Sequence, residues 1–582
     1  MQGCQYIAAF LASKGIEKVF LMTGGAATFM IDAVGQHPNL DYICFQHEQA
    51  AAMAADAVWR SSGKIGVTMA TSGPGATNLL TGIACSYFDS IPSLHITGQV
   101  NMRESAAYLG AAPRQVGFQE TKIVDMARPI TKYAVQVRTA AELKEALETA
   151  LQISTTGRMG PVLIDVPMDV QQAEMGEFEV NHLGVVAPVD AVDIDGIARK
   201  INDFLALASR PLVYFGAGVG LAGEERAVAA WLAETKVPFV SSWNASTYFD
   251  HDLPNYCGCV GVYGNRGANF LVQNCDSLLV LGSRLDNRQR SGNTTQFAPH
   301  ANTLVLDIDV EELAKYKSDG YTTAAFDFRH LPSVLAATQP PKSSSAWRDH
   351  VALMKKRYFG KHRSTYAENA GTQSPYEVIQ RINALVNRDA IVINDTGAAL
   401  CWFFQTFHRT GQTIFTAGGN SPMGYSLPAA IGAKVVAPGR QVVCFSGDGG
   451  FQLNIQELVT LVHHELDVVI VIMNNGGYGI IKQFQDVNMG GRYHASGRGY
   501  SQPDFRKVVE AYGLRYFRIE SPADIKLEQF AVKGGVVLDV IIDQNTPIEP
   551  KVERGRPIND QFPYLSDTEF MEGNAFVTYE RQ

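Results

Sequence analysis

The chain has 582 residues, of which 46% are hydrophobic and 18% charged; this excludes a disordered or low-complexity protein. A net charge of −9 gives no electrostatic pull toward nucleic acid or an anionic membrane, so neither is expected as a partner. No run of about 20 apolar residues offers a spanning helix. The opening MQGCQYIAAFLASKG reads as an amphipathic helix ended by Gly15, with no basic flank or cleavage site, and a cytoplasmic protein is expected. The eight cysteines form no CxxC pair; Cys44, Cys85 and Cys444 lie in apolar runs and read as reduced core residues.

Strand-like apolar runs alternate with helical patterns along most of the chain, and several are continuously apolar, as strands buried on both faces should be. The first domain, 1–172, has candidate strands at Lys18–Met22, Ile65–Ala70, Leu94–Thr97 and Val162–Val166. The second, 188–340, has Pro211–Phe215, Ser277–Leu281 and Thr303–Ile308, and a polar linker follows at Gln339–Ser345. The third, 372–546, has Ala390–Asn394, Val442–Phe445, Val468–Met473 and Val536–Ile542. The reading is α/β, three Rossmann-like domains with mostly parallel sheets. Residues 547–582, rich in Pro, Asp and Glu, read as an extended C-terminal tail.

Phe45-Gln46-His47-Glu48-Gln49 opens an Ala-rich helix. A carboxylate in a first helical turn is favoured by the helix dipole, so Glu48 alone reads as a helix-end charge or as a functional acid. Thr71-Ser72-Gly73-Pro74-Gly75-Ala76-Thr77-Asn78 is a tight turn into a helix, which either binds phosphate or turns the chain. In the second domain, Phe215-Gly216-Ala217-Gly218-Val219 stops short of G-x-G-x-x-G. The richest stretch is Val442 to Gly479: a strand reaching Gly447-Asp448-Gly449, a helix, then a strand ending at Asn474-Asn475. Ligands of parallel sheets collect outside such carboxyl ends. Asp448, Asn475 and inward-turned glycine carbonyls suit Mg²⁺, which takes about six oxygens near 2.1 Å.

With GDG, a helix and then NN, the chain resembles the thiamine diphosphate-dependent enzymes. Its Thr71–Asn78 run, Gly117-Phe118-Gln119-Glu120-Thr121 and Gly160–Pro167 are similar to the acetohydroxyacid (acetolactate) synthase branch. The resemblance covers nearly all of residues 1–546. It implies a pyrimidine-binding first domain, a central domain and a diphosphate-binding third domain. Carried onto this chain, Asp448, Asn475 and the Gly477 carbonyl hold Mg²⁺ on the diphosphate. Glu48 bonds N1′ of the aminopyrimidine and passes a proton there. Gly25, Gly73, Pro74 and Asn78 are the other cofactor contacts of the first domain. In the third they are Gly397, Ala398, Ser421, Met423, Gly447, Gly449, Gly450 and Tyr478. The Ser421 carbonyl stands where the 4′-amino proton is accepted, and Met423 where a bulky residue bends the cofactor. Phe118 and Gln119 stand where the branch lines its substrate channel.

The same resemblance implies FAD, held without net redox. Its contacts in the central domain would be Gly216, Gly218, Ser242, Gly261, Tyr263, Arg284, Asp286, Arg288, Asp307 and Asp327. The implied reaction decarboxylates pyruvate and joins the two-carbon unit to a second carbonyl compound, giving 2-acetolactate when that is pyruvate. Several positions depart from the branch: Thr23 for Pro, Tyr263 for His, Asn287 for Asp, Ala398-Ala399 for Gln-His, and Phe484 for Trp. The Thr23 loop, Phe484, Ala398-Ala399 and the tail leave open transfer to the keto group of a nucleotide-linked sugar. An FAD-linked pyruvate oxidase and a non-catalytic cofactor-binding protein are further alternatives. In the family each active site lies between the first domain of one chain and the third of its partner, so a homodimer or homotetramer is expected.

Overall fold

Apolar runs at regular intervals build three six-stranded sheets in the computed structural model, which describes residues 1–109, 113–178, 193–362, 364–531 and 533–579. The expected start of the second domain at 188 and the last three residues of the tail lie outside these. The first sheet contains β1 (Lys18–Leu21), β2 (Asp41–Cys44), β3 (Gly66–Ala70), β4 (Ser93–Gln99), β5 (Tyr133–Gln136) and β6 (Val162–Pro167), in the order β2-β1-β3-β4-β6-β5. The second contains β7 (Pro211–Phe215), β8 (Phe239–Ser241), β9 (Tyr256–Cys259), β10 (Ser277–Leu281), β11 (Asn302–Asp307) and β12 (Thr322–Ala325), in the order β12-β11-β10-β7-β8-β9. The third contains β13 (Ile391–Asn394), β14 (Thr413–Phe415), β15 (Val442–Gly447), β16 (Val468–Asn474), β17 (Arg515–Ile519) and β18 (Val536–Ile541), in the order β14-β13-β15-β16-β18-β17. Every pairing in these three sheets is parallel.

The first and third sheets share one topology, and the second has the strand order of a dinucleotide-binding fold. Three topological switch points follow, between β1 and β3, between β7 and β10, and between β13 and β15. Register does the rest: Gly447 on β15 pairs with Met473 on β16, so Asp448 and Asn475 leave neighbouring strand ends together.

The helices that matter for the site are α1 (Glu48–Ser62), α2 (Leu80–Asp89), α3 (Arg266–Asn274), α4 (Ser345–Tyr358), α5 (Ser426–Val436), α6 (Asp448–Leu453), α7 (Glu457–His463) and α8 (Asp567–Gly573). Five alanines of α1 share one core with Tyr425 and with Leu427 to Ala433 of α5, so the first and third domains are packed as one body. Small residues permit the approach: a Cβ on Gly432 would stand 2.3 Å from the Ala54 carbonyl oxygen. Within this core Arg60 Nε reaches Asp56 at 2.7 Å, and the Tyr425 hydroxyl donates to Asp56 at 2.5 Å.

The polar stretch after 338 ends as a helix start, with Ser344 Oγ accepting from Trp347 N of α4. Trp347 Nε1 then donates to Pro211 O on the central sheet. The C-terminal segment is folded onto the central domain instead of standing out as a tail. Its strands β19 (Lys551–Val552) and β20 (Gln561–Phe562) pair antiparallel, Val552 N donates to Val262 O, and Phe570 of α8 packs on Phe270 of α3. Cys85 and Cys444 are buried as expected, but Cys44 is exposed, because β2 is an edge strand. No helix among the described residues is long and apolar enough to cross a membrane.

Candidate active site

In the first domain, the turns after β1, β2 and β3 converge at the switch point. The Gly24–Ala26 turn is tied to β3's exit by Ala26 N donating to Thr71 Oγ1 at 3.1 Å, which places Gly25 there. Gly73 adopts φ +63, a conformation that suits glycine, and a Cβ on it would meet Gln119 Cβ at 2.9 Å. Pro74 then occupies the first turn of the short helix Pro74–Asn78. Asn78 Nδ2 donates to Glu48 Oε2 at 3.0 Å, and Gly75 leaves room beside Glu48 Oε1. Glu48 is only 6% exposed. So Glu48, Asn78, Gly73 and Gln119 form one cluster, while Phe118 stands 85% exposed at the first-domain surface.

In the third domain, the two carboxylate oxygens of Asp448 have different surroundings. Oδ2 accepts from Gly477 N at 3.0 Å and from the Tyr500 hydroxyl at 2.6 Å. Oδ1 faces the Asn475 side-chain oxygen at 3.2 Å, and that oxygen in turn stands 2.8 Å from Gly477 O. Three acceptors thus converge with no hydrogen between them; rotating the Asn475 amide would instead let it donate to both neighbours. Octahedral ligands at about 2.1 Å lie about 3.0 Å apart, so the convergent arrangement fits a small hard cation. Burial pushes the Asp448 carboxyl up to about 6 against the pull of its hydrogen bonds, and a bound cation would reverse that.

The loops around this triad hang on Asp395, which the sequence reading did not single out. Its buried carboxylate accepts from Thr396 N, Gly424 N, Ser426 N and Ser426 Oγ, at 2.9 to 3.2 Å. Burial raises its pKa, and those four donors oppose the rise. A Cβ on Gly450 would stand 2.8 Å from Asp395 Oδ1, so a glycine is needed there. Ser421 sits at φ +51 with its hydroxyl 2.7 Å from Thr396 Oγ1. Gly449 lies between the Tyr478 ring and Met423, whose atoms would be 2.4 and 3.4 Å from a Cβ there. Gly447 closes β15, while Gly397, at φ +85, precedes the helix that Ala398 begins. All the expected third-domain residues therefore surround the exits of β13, β15 and β16.

The exits of β7 and β10 open into a cavity of ≈ 1120 Å³. Small-molecule sites usually span about 300–1,000 Å³, so this one has room for an extended, dinucleotide-sized ligand. All ten central-domain residues expected to contact FAD line it. Gly216 and Gly282 cross at the switch point, where a Cβ on Gly216 would lie 2.0 Å from the Gly282 carbonyl oxygen. Asp286 caps its own helix through Arg288 N at 2.8 Å, and Arg288 lies over the Tyr263 ring. Asp327 is paired with Arg329, and Asp307 accepts from Asp309 N, so neither is free of local partners. Trp243, another lining residue, stacks on Phe404 of the third domain.

The cavity is walled by all three domains, and they meet at Asp89. This carboxylate accepts from Gly418 N and Gly419 N, both at 2.8 Å, and pairs with Arg60 at 2.8 Å. Arg284 stands 3.8 Å away and donates to Phe88 O. Of the supporting residues that sequence reading missed, Asp395 lay at a recognised strand end; Asp89 and Tyr500 carry no local signal.

Residues 1–126, 198–325 and 395–540 match, in turn, the N-terminal TPP binding domain, the central domain and the C-terminal TPP binding domain of the thiamine pyrophosphate enzymes. Curated relatives span nearly the whole chain. The acetolactate synthase isozyme 2 large subunit of Escherichia coli is 33% identical, covering 97% of this chain and 100% of its own. A probable acetolactate synthase large subunit of Methanocaldococcus jannaschii is 34% identical over 93% and 92%. The acetolactate synthase large subunit of Lactococcus lactis is 30% identical over 95% and 94%.

Proposed function

Since the chain belongs to the thiamine pyrophosphate enzymes, with acetolactate synthase large subunits among its relatives, we propose that it is a carboligase joining two pyruvates into 2-acetolactate with release of CO₂. The observation that carries this reading is the meeting of the Asp448 carboxylate, the Asn475 side-chain amide and the Gly477 carbonyl at a strand exit, in a chain that also buries Glu48 at an equivalent exit. Those three oxygens would hold Mg²⁺, and Mg²⁺ the diphosphate. Thiamine diphosphate, when bound, supplies a nucleophilic carbon that takes up a 2-keto acid and an electron sink for the charge left as CO₂ departs.

Glu48, supported by the Asn78 amide, holds and returns a proton at N1′ of the aminopyrimidine. The Ser421 carbonyl accepts from the 4′-amino group, and Met423, set by Gly424 on Asp395, supports the ring system from below. Phe118 and Gln119 meet substrate. FAD would occupy the three-domain cavity as a structural cofactor, with Arg284 and Arg288 on its pyrophosphate. Glu48 is hydrogen-bonded within the first domain alone and Phe118 is solvent-facing, which supports a dimer whose sites are completed by the partner's third domain. The relatives' printed activity favours pyruvate as acceptor over a keto sugar.

The test is product analysis with purified protein, thiamine diphosphate, Mg²⁺, FAD and pyruvate as sole substrate. Acetolactate, read as acetoin after acid treatment, is expected at about 1 s⁻¹ or faster. CO₂ release without acetolactate would overturn the assignment of the acceptor, and oxygen uptake would point to an oxidase. Sedimentation of a fully active monomer would refute the shared site.

A further inference from the structure

Glu457 begins α7 and is fully buried, yet among the described residues none of its partners is a cation. Its two oxygens accept from Gln46 N at 3.1 and 3.3 Å, and one accepts from Thr460 Oγ1 at 2.7 Å. The His47 amide also bonds to it. Gln46 and His47 are the two residues before Glu48, and His47 is the N-cap of α1. A carboxylate sunk in a core without a counter-ion is costly, and three donors offset that cost here, two of them the Gln46 and His47 amides. Its oxygens take up the amides that lead into a helix start, and they do so from another domain.

The neighbouring residues extend the connection. Asp448 heads α6; six residues on, Asn454 Nδ2 donates to Gly424 O at 2.7 Å and lies 3.8 Å from Met53 Sδ on α1. Glu457 follows. One stretch of chain, 448–460, therefore touches the oxygen triad, the loop carrying Met423 and the turn carrying Glu48.

We propose that Glu457 is a positioning residue for Glu48: from the third domain it clamps the Gln46–His47 turn and fixes where the catalytic carboxyl is presented. This rests on the thiamine diphosphate reading above. The amides it holds are adjacent in sequence to Glu48, so releasing them lets the carboxyl drift without removing any group that contacts the cofactor. Displacements of about 1 Å at such a group cost up to about 100-fold in rate.

The experiment measures deuterium exchange at C2 of enzyme-bound thiamine diphosphate, with Mg²⁺, by acid quench and NMR. Glu457→Ala and Glu457→Asp, which withdraws the carboxylate by one methylene, should both slow exchange about 10- to 100-fold. Half-saturating thiamine diphosphate and Mg²⁺, followed by protein fluorescence, should stay within about threefold of wild type, because no contact to them is lost. Glu457→Gln, which keeps an acceptor for Gln46 N, should recover most of the exchange rate. Exchange in the Asp variant within threefold of wild type, or a Gln variant as slow as Ala, would overturn the proposal. Failure of the wild-type protein to accelerate exchange at all would instead count against the thiamine diphosphate reading.

Discussion

Asp448 gives one oxygen to hydrogen-bond donors and keeps the other for the acceptor cluster, and Tyr500 enforces that division. Removing its hydroxyl leaves the carboxylate to the amides of Gly477, Asp448 and Gly449 and loosens its orientation. Tyr500→Phe should therefore raise the Mg²⁺ needed for half-saturation about 10- to 100-fold, as is usual for partners that orient metal ligands; titration followed by fluorescence checks it. Glu457 carries a pH prediction. Burial raises its carboxyl from 4.5 to about 7, so folding favours the protonated form. Its contribution to stability is full below the ordinary carboxylate range and is lost as pH rises through about 7, an effect of order 3 kcal/mol at most. Glu457→Gln should accordingly gain in Tm relative to wild type as pH is raised from about 5 to about 8. At this scale the sequence disclosed residues whose type is dictated by chemistry at a strand end: Glu48, Asp448, Asn475. It did not disclose Tyr500 or Glu457, whose types are common in loops and helix starts and whose partners are set by folding.

At the level of elements, the legible strands were those buried on both faces. β3, β6, β7, β10 and β16 are buried at every residue and were read to within a residue or so. The strands missed altogether, including β5, β12, β14 and β17, are short, and each of these four lies at a sheet edge, where one side faces solvent and apolar continuity is not required. Helix α5 shows how a local reading misleads. Gly432 looks like a weak point in a helix, but it is the place where α5 meets the backbone of α1. A Cβ there would press on the Ala54 carbonyl, which cannot rotate away as a side chain could. Gly432→Ala should destabilise the protein by about 1–3 kcal/mol, despite alanine's better helix propensity. Thermal unfolding would show it as a lowered Tm; an unchanged or raised Tm would mean that the two helices can separate without loss.

The whole molecule is organised around contacts that no motif announces. Domain number, order and class followed from the spacing of apolar runs, but the packing of the first domain on the third, and the return of the C-terminal segment onto the second, did not. Polar composition suggested an extended tail because Pro, Asp and Glu are loop-like; in place the segment's carbonyls find donors on the central domain, as where Arg266 donates to Gln561 O. The cavity is likewise a property of assembly. Arg284, which faces it and also reaches Phe88 and Asp89, should be needed for flavin: Arg284→Ala is expected to weaken FAD binding about 10- to 100-fold, the size of a lost charged hydrogen bond. Flavin fluorescence quenching would measure it, and wild-type affinity would remove the cavity as the FAD site.

Asp89 has a final consequence, for recombination. Its two oxygens take two amides from the third domain while its neighbours hold the first and second, so the three domains are not interchangeable modules even though each has its own sheet. A chimera that imported the third domain from a relative would inherit the strand exits intact and still misplace the Gly418–Ser421 loop, unless its donor had evolved against the same carboxylate. Successful crossovers between relatives should therefore carry residues 56–89 and 416–425 together, as one heritable unit split across the chain.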